Sequence, residues 1–137
     1  MDDLSARTVG IMVVVILAVV AILNLDSIIN FGRWGGEYIE MRSMQAAASS
    51  YSSLRRDGAD PTSAADLVNG VSANDSIDGA EHTGLMNARS GRWKGNNYTD
   101  AWGNDFQFAT DSDGYRYIAS GGVDGAIGTD DDIVMYY

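Results

Sequence analysis

The sequence predicts an α+β chain: one long N-terminal α-helix packed on a small C-terminal head with a short antiparallel β-sheet and an acidic loop. Three observations predict it. Thr8–Leu25 runs 18 residues without a charge. Glu37–Arg56 repeats apolar residues at helical spacing. Residues 100–137 hold eight Asp against one Arg, two short alternating aromatic stretches and several Gly turns. The expected organisation is 1–31 for an N-terminal tail and hydrophobic helix, 32–58 for the amphipathic upper half of that helix, and 59–137 for the head.

The stem comes first. Thr8–Leu25 is apolar on every side, so burial of one face in a small soluble head does not account for it. As a helix it spans about 27 Å, close to the thickness of a bilayer core. A lone strand could not satisfy its backbone in lipid. Asp2 and Asp3 precede a single Arg7, and no A-x-A site follows. The stretch therefore reads as a retained anchor rather than a cleaved secretory signal. Val9, Met12, Val15, Leu17, Val20 and Leu23 are its candidate membrane or assembly contacts.

Above the stem, Gly32, Gly35 and Gly36 are expected to bend or locally melt the helix. Periodicity then resumes, with Tyr38, Met41, Met44, Ala48, Tyr51 and Leu54 near one face. Asp57-Gly58 ends it. This upper half is the spine for the head.

In the head, Thr62 or Ser63 is positioned to cap a short helix over Ala64–Val68, with Asp66 in its first turn. Residues 69–97 are polar and weakly patterned, a long loop with a short helix or hairpin. Trp93, Tyr98 and Trp102 have the area to anchor it. Asp105–Thr110 and Tyr115–Ser120 form a hairpin around the turn Asp111-Ser-Asp-Gly114. Ile133–Tyr137 adds a final strand.

The chain has 137 residues, no Cys and a formal net charge of −10. No disulfide can staple the head. Residues 100–137 alone carry a net −7, which disfavours nucleic acid and anionic lipid as partners and attracts divalent cations. Calcium takes six to eight hard oxygens. Asp124, Asp130, Asp131 and Asp132 lie close together, interleaved with Gly125 and Gly128, which let the loop wrap. Asp124, Asp130 and Asp132 are the favoured side-chain ligands. Asp131 is a weaker one, the Thr129 hydroxyl a further one, and carbonyls near Ala119–Gly122 could complete the shell. The alternative is a solvated acidic turn.

Several of these residues also carry a resemblance. Asp100 with Trp102-Gly103-Asn104, then Ser120-Gly-Gly-Val-Asp-Gly125, then Gly128-Thr-Asp-Asp-Asp-Ile133, resemble the C-terminal signature of the major pseudopilin of bacterial type II secretion. Tyr51 to Pro61 is similar to the helix exit of these proteins, and the stem to the N-terminal helix of type IV pilin-like proteins. The resemblance implies a pilin-like fold with a calcium-stabilised head. It also implies a single-pass inner-membrane protein with an extracytoplasmic head that leaves the membrane to pack into a helical filament, periplasmic or at the cell surface. Implied partners are further copies, other pseudopilins and an inner-membrane assembly platform, in the service of protein export. The N-terminus departs from the family's pattern. Ser5 stands at the Gly of the cleavage site, Ala6 at the Phe and Gly10 at the Glu, so no carboxylate lies inside the apolar run. Cleavage, methylation and subunit register stay open. So do three identities: a divergent pseudopilin, a differently processed filament subunit, or an anchored calcium-stabilised interaction module that never polymerises.

Catalysis lacks its usual pieces. There is no thiol, and the only imidazole is His82. Nothing marks an activated Ser. The paired carboxylates sit in a turn with no apolar neighbour to raise a pKa. No phosphate-cradling Gly–Lys motif is present, and no small-molecule substrate is expected. Asp111-Ser-Asp-Gly lacks the twelfth-position Glu of an EF-hand and reads as a turn. Asn74-Asp-Ser76 and Asn97-Tyr-Thr99 match the glycan acceptor pattern, which matters only in a glycosylating host.

Overall fold

The computed structural model describes residues 3–137, with side chains from Thr8 onward. The expectations for Ser5, Ala6 and the removal of residues 1–6 lie outside the described side chains. The chain divides into two compact units, the first running to Arg33 and the second covering Trp34–Tyr137.

In the first unit, α1 (Asp3–Leu23) is followed by the start of α2 (Leu25–Leu54). From Val9 to Leu25 the large apolar side chains are between 48 % (Val19) and 77 % (Leu23) exposed. Val9, Met12, Val15, Leu17, Val20 and Leu23 all stand in this exposed set. Among the described residues nothing buries them.

The break falls at Asn24, inside the stretch expected to be one span. Asn24 Nδ2 donates to the Val20 carbonyl at 2.7 Å, and the Asn24 amide uses the same carbonyl at 3.1 Å. A side chain competing for the i−4 carbonyl bends a helix, and the two helices meet here at 54°. The glycines expected to cause the bend do not: α2 runs unbroken through Gly32, Gly35 and Gly36. Among the described residues no single helix is long and apolar enough to cross a membrane, whereas Thr8–Leu23 and Leu25–Leu54 together meet that requirement of length and composition. The chain thus joins a bent hydrophobic helix pair to a small β-sheet domain.

In the second unit, the upper half of α2 buries Glu37, Glu40, Met41, Met44, Ala47, Ala48 and Tyr51. These recur every three or four residues, as one face of a helix must. Tyr38, expected on that face, is 41 % exposed, and the carboxylates of Glu37 and Glu40 take the inward positions instead. The core adds Leu67, Val71, Met86, Tyr98, Phe106, Ile118, Ile133 and Met135.

Helix α3 (Ala64–Asn69) starts at Ser63, whose side chain accepts from the Asp66 amide while the Asp66 carboxylate accepts from the Ser63 amide. This is a capping box. Ser63→Ala is expected to cost about 1 kcal/mol, read as a lowered urea midpoint with unchanged slope.

Two antiparallel sheets follow. The small one pairs β1 (Trp93–Lys94) with β2 (Asn97–Tyr98), after a 3-10 turn at Ser90–Arg92. Residues 69–97 are otherwise held by isolated bridges, Arg55 to Ser76 and Val71 to His82. The larger sheet has the order β3 (Gln107–Thr110), β4 (Arg116–Ser120), β5 (Ile133–Tyr136). The expected hairpin and last strand are both present. Asp111 Oδ1 accepts from the amides of Asp113 and Tyr115 at 3.0 and 2.8 Å, so Asp111–Gly114 is a turn closed on itself. Phe108, Ile118 and Met135 lie in register across the three strands and form the face that meets the core.

Candidate functional site

The connection between β4 and β5, residues 121–132, carries the acidic loop. Gly122 has φ 61°, and a Cβ there would lie 2.4 Å from the Asp131 carbonyl oxygen, so no other residue fits this neck. A Cβ on Gly125 would meet the Asn104 side-chain amide at 2.8 Å. The loop is therefore seated on the Asp100–Asn104 corner.

Within the loop most carboxylates face inward to backbone amides. Asp131 Oδ2 accepts from Val123 and Asp124 at 2.6 and 3.2 Å. Asp132 Oδ2 accepts from Gly128 and Thr129 at 2.6 and 3.3 Å. Asp124 Oδ1 accepts from Ala126 at 2.8 Å. The Thr129 hydroxyl is the point of convergence: Oγ1 lies 2.7 Å from Asp131 Oδ1, 3.2 Å from Asp132 Oδ1, 3.4 Å from Asp124 Oδ1 and 3.1 Å from the Ala126 carbonyl. One hydroxyl proton serves one of these oxygens at a time. The Thr129 hydroxyl, with the amides of Asp124 and Val123, holds the Asp131 carboxyl below its usual range.

The structure brings Asp124, Thr129, Asp131 and Asp132 together and leaves Asp130 exposed outside the set. The order of preference from sequence had Asp130 ahead of Asp131; it is the Asp131 side chain that turns inward. The donors are hard oxygens of the kind calcium takes. Yet among the described residues no group of three or more His, Asp or Glu side chains is arranged to hold a metal ion. The centre of the loop is held by the Thr129 hydroxyl.

Beneath the loop lies a second polar cluster, which sequence reasoning missed. Asp100 is 1 % exposed. Its Oδ1 accepts from the amides of Trp102 and Asn104 at 3.0 and 2.8 Å, and its Oδ2 from the Ser120 hydroxyl at 2.8 Å. The Asp-x-Trp-Gly-Asn motif is thus a corner bolted to the end of β4. The next residue ties the corner to the spine: the Ala101 amide donates to Glu37 Oε2 at 2.7 Å.

Glu37, fully buried, and Glu40, 7 % exposed, share one guanidinium. Arg92 Nη1 donates to Glu37 Oε2 at 2.8 Å and Nη2 to Glu40 Oε2 at 3.0 Å. Arg92 Nη1 also reaches the Thr99 carbonyl at 3.2 Å. The Tyr98 hydroxyl donates to Glu40 Oε1 and accepts from the Arg89 amide at 3.1 Å. Burial and the bond to Glu40 push the Tyr98 phenol up to about 12. Glu37 Oε1 has no hydrogen-bond donor. Burial raises the Glu37 carboxyl above its ordinary range despite Arg92, whose bond and charge pull it down.

The cluster joins α2, the 3-10 turn, β2 and the Asp100 corner. Glu37, Glu40, Tyr98 and Asp100 are buried in it, and the Arg92 side chain is 14 % exposed. One signal could have found it. Glu37 and Glu40 continue the three-and-four ladder of Met41, Met44, Ala48 and Tyr51, so two carboxylates on a buried stripe demand a buried cation.

His82, the only imidazole of the sequence, pairs at the surface with Asp78, Nε2 to Oδ1 3.0 Å. It lies in the 69–97 segment, at the bridge to Val71.

No family model, no curated protein and no solved structure matches this chain.

Proposed function

We propose that this chain is a structural subunit of a pilin-like filament resembling the type II secretion pseudopilus. It is inserted in the inner membrane by its N-terminal helix, with the head outside the cytoplasm, and is built into the filament by packing of that helix. The observation that carries the reading is the stem: large apolar side chains from Val9 to Leu25 stand 48–77 % exposed. Lipid covers such a surface before assembly, and neighbouring stems cover it afterwards. The head supports rather than catalyses. Its buried polar groups are spent on joining spine, corner and sheet. Other pseudopilins and an inner-membrane platform are the partners of this reading, and export of proteins or a surface role is its output.

A second reading is favoured by one feature. Gly10 stands where the resembling family holds a carboxylate, and Thr8–Leu25 has none. An anchored interaction module that never polymerises needs no such group. Electron microscopy of material sheared from membranes separates the two. Ordered helical filaments containing this chain support the first reading; a chain found only as dispersed membrane monomers supports the second.

The same reading gives the 121–132 loop a calcium ion, with Asp124, Asp131 and Asp132 as its ligands after the loop rearranges from the Thr129-centred arrangement, which by itself is not arranged to hold a metal ion. Three carboxylate oxygens converging on one hydroxyl support it, because a divalent cation relieves their mutual repulsion. With free calcium at ten times the dissociation constant, the folded head gains about 1.4 kcal/mol. Calorimetry with and without chelator should show that shift, and Asp131→Ala should abolish it. A melting temperature indifferent to chelator removes calcium from the proposal and leaves the filament untouched.

A further inference from the structure

The outer face of α2 carries three residues at successive turns that the core does not use: Trp34, Tyr38 and Arg42. The rings of Trp34 and Tyr38 stack with centroids 5.7 Å apart at 22°, and the two residues are 42 % and 41 % exposed. Ile39 beside them is 70 % exposed. Arg42 is exposed, and no hydrogen bond or ion pair involves its side chain among the described residues. The acidic residues of the same stretch, Glu37 and Glu40, point the other way, into Arg92. The outward side of residues 34–54 therefore carries no negative charge: Arg42 stands beside Trp34, Tyr38 and Ile39, and small residues such as Ser43, Ala46 and Ser49 follow. Trp, Tyr and Arg are the residue types that dominate protein–protein hot spots.

A surface of the opposite character exists on the same molecule. The 121–132 loop exposes Val123 (52 %) and Ile127 (43 %) among the carboxylates of Asp124 and Asp130, within a segment of net −7. One divalent cation leaves that segment strongly acidic. The ridge and the loop are different patches, complementary in charge and both partly apolar. A contact between different patches of identical copies is heterologous, and repetition propagates it into a ring or an open helix.

We propose that the Trp34–Tyr38–Arg42 ridge receives the 121–132 loop of a second copy of this chain. Arg42 is set against the loop carboxylates, and the aromatic stack against Val123 and Ile127. The inference rests on the filament reading and supplies one of its head contacts. Because the chain has no Cys, engineered thiols report the contact directly. Full-length Tyr38→Cys and Val123→Cys chains, co-expressed and oxidised in membranes, should form a disulfide-linked dimer containing one of each. Ile77→Cys, 65 % exposed and outside both patches, should not link to either. Arg42→Glu in the first chain should lower the yield about tenfold, and Asp130→Arg in the second should restore it. Filaments that form without this mixed crosslink overturn the contact and leave the filament reading standing. The mixed crosslink without filaments supports the contact and removes the filament. Crosslinks only between two Tyr38→Cys chains overturn the proposal in favour of a two-fold dimer. Shielding of Trp34 only by vesicles of anionic phospholipid, with no mixed crosslink, overturns it in favour of a lipid-facing ridge.

Discussion

Arg92→Ala is expected to destabilise the head by about 3–5 kcal/mol, since removing one partner of a buried ion cluster leaves the other charges uncompensated. Two carboxylates lose their cation at once, because Arg92 is the shared donor to Glu37 and Glu40. Arg89, whose Nε lies 3.8 Å from Glu40 Oε2, is 61 % exposed at its side chain and cannot replace it. The loss has a pH signature. Burial already raises the Glu37 carboxyl above its ordinary 4.5, and removal of Arg92 raises it further. A carboxyl with a raised folded-state pKa favours folding below its unfolded value, and that contribution disappears as pH rises through the folded value. The penalty in Arg92→Ala should therefore be small near pH 4.5 and grow towards neutrality. Urea unfolding across that range measures it. Glu37→Gln with Glu40→Gln on the Arg92→Ala background should recover much of the stability, because the uncompensated charge is gone. A loss independent of pH, or no recovery in the triple variant, sinks the account.

Leu17→Arg is the second large effect, and it acts on the other unit. Leu17 is 63 % exposed in the middle of the charge-free run. An arginine near the centre of a membrane helix is unfavourable by about 2.5–3.5 kcal/mol relative to no insertion penalty, while a leucine is favourable. The variant should shift from the membrane pellet to the soluble or degraded fraction after alkaline extraction, with the head still folded. Tyr115→Arg, at a head position 66 % exposed, is the matched control and should fractionate as the parent does. Equal retention of both variants means that the stem is not what holds the chain to lipid.

The parts legible in the sequence are those where a local rule decides. Phe106 and Phe108 alternate with polar neighbours, Tyr115 and Tyr117 alternate with Arg116 and Ile118, and strands form at Gln107–Thr110 and Arg116–Ser120. Ser63 with Asp66 is a local cap signal, and the helix starts where it says. Asp111–Gly114 is a turn because its own side chain closes it. The parts that escaped depend on distant partners or on competition. The ladder places Glu37 and Glu40 on the buried stripe, but no local pattern names their cation, which lies 52 to 55 residues away. Asn24 looked harmless inside an apolar run, while Gly32, Gly35 and Gly36 looked like breakers. A side-chain amide that bonds the i−4 carbonyl outcompetes low propensity as a cause of bending, and the glycines stay helical. In the acidic loop, composition gives only the number of carboxylates. Which of three adjacent aspartates turns inward depends on the path of the backbone around Gly122 and Gly125, which composition does not carry.

The shared carbonyl of Val20 has a mechanical meaning. One acceptor serves both donors of Asn24 at the point where α1 ends and α2 begins, so the ladder is interrupted there and the joint is the weak point of the helix pair. A joint of that kind adjusts its angle at little free-energy expense. Under the membrane-inserted reading proposed above, a joint at Asn24 would let the span tilt to suit thicker or thinner bilayers.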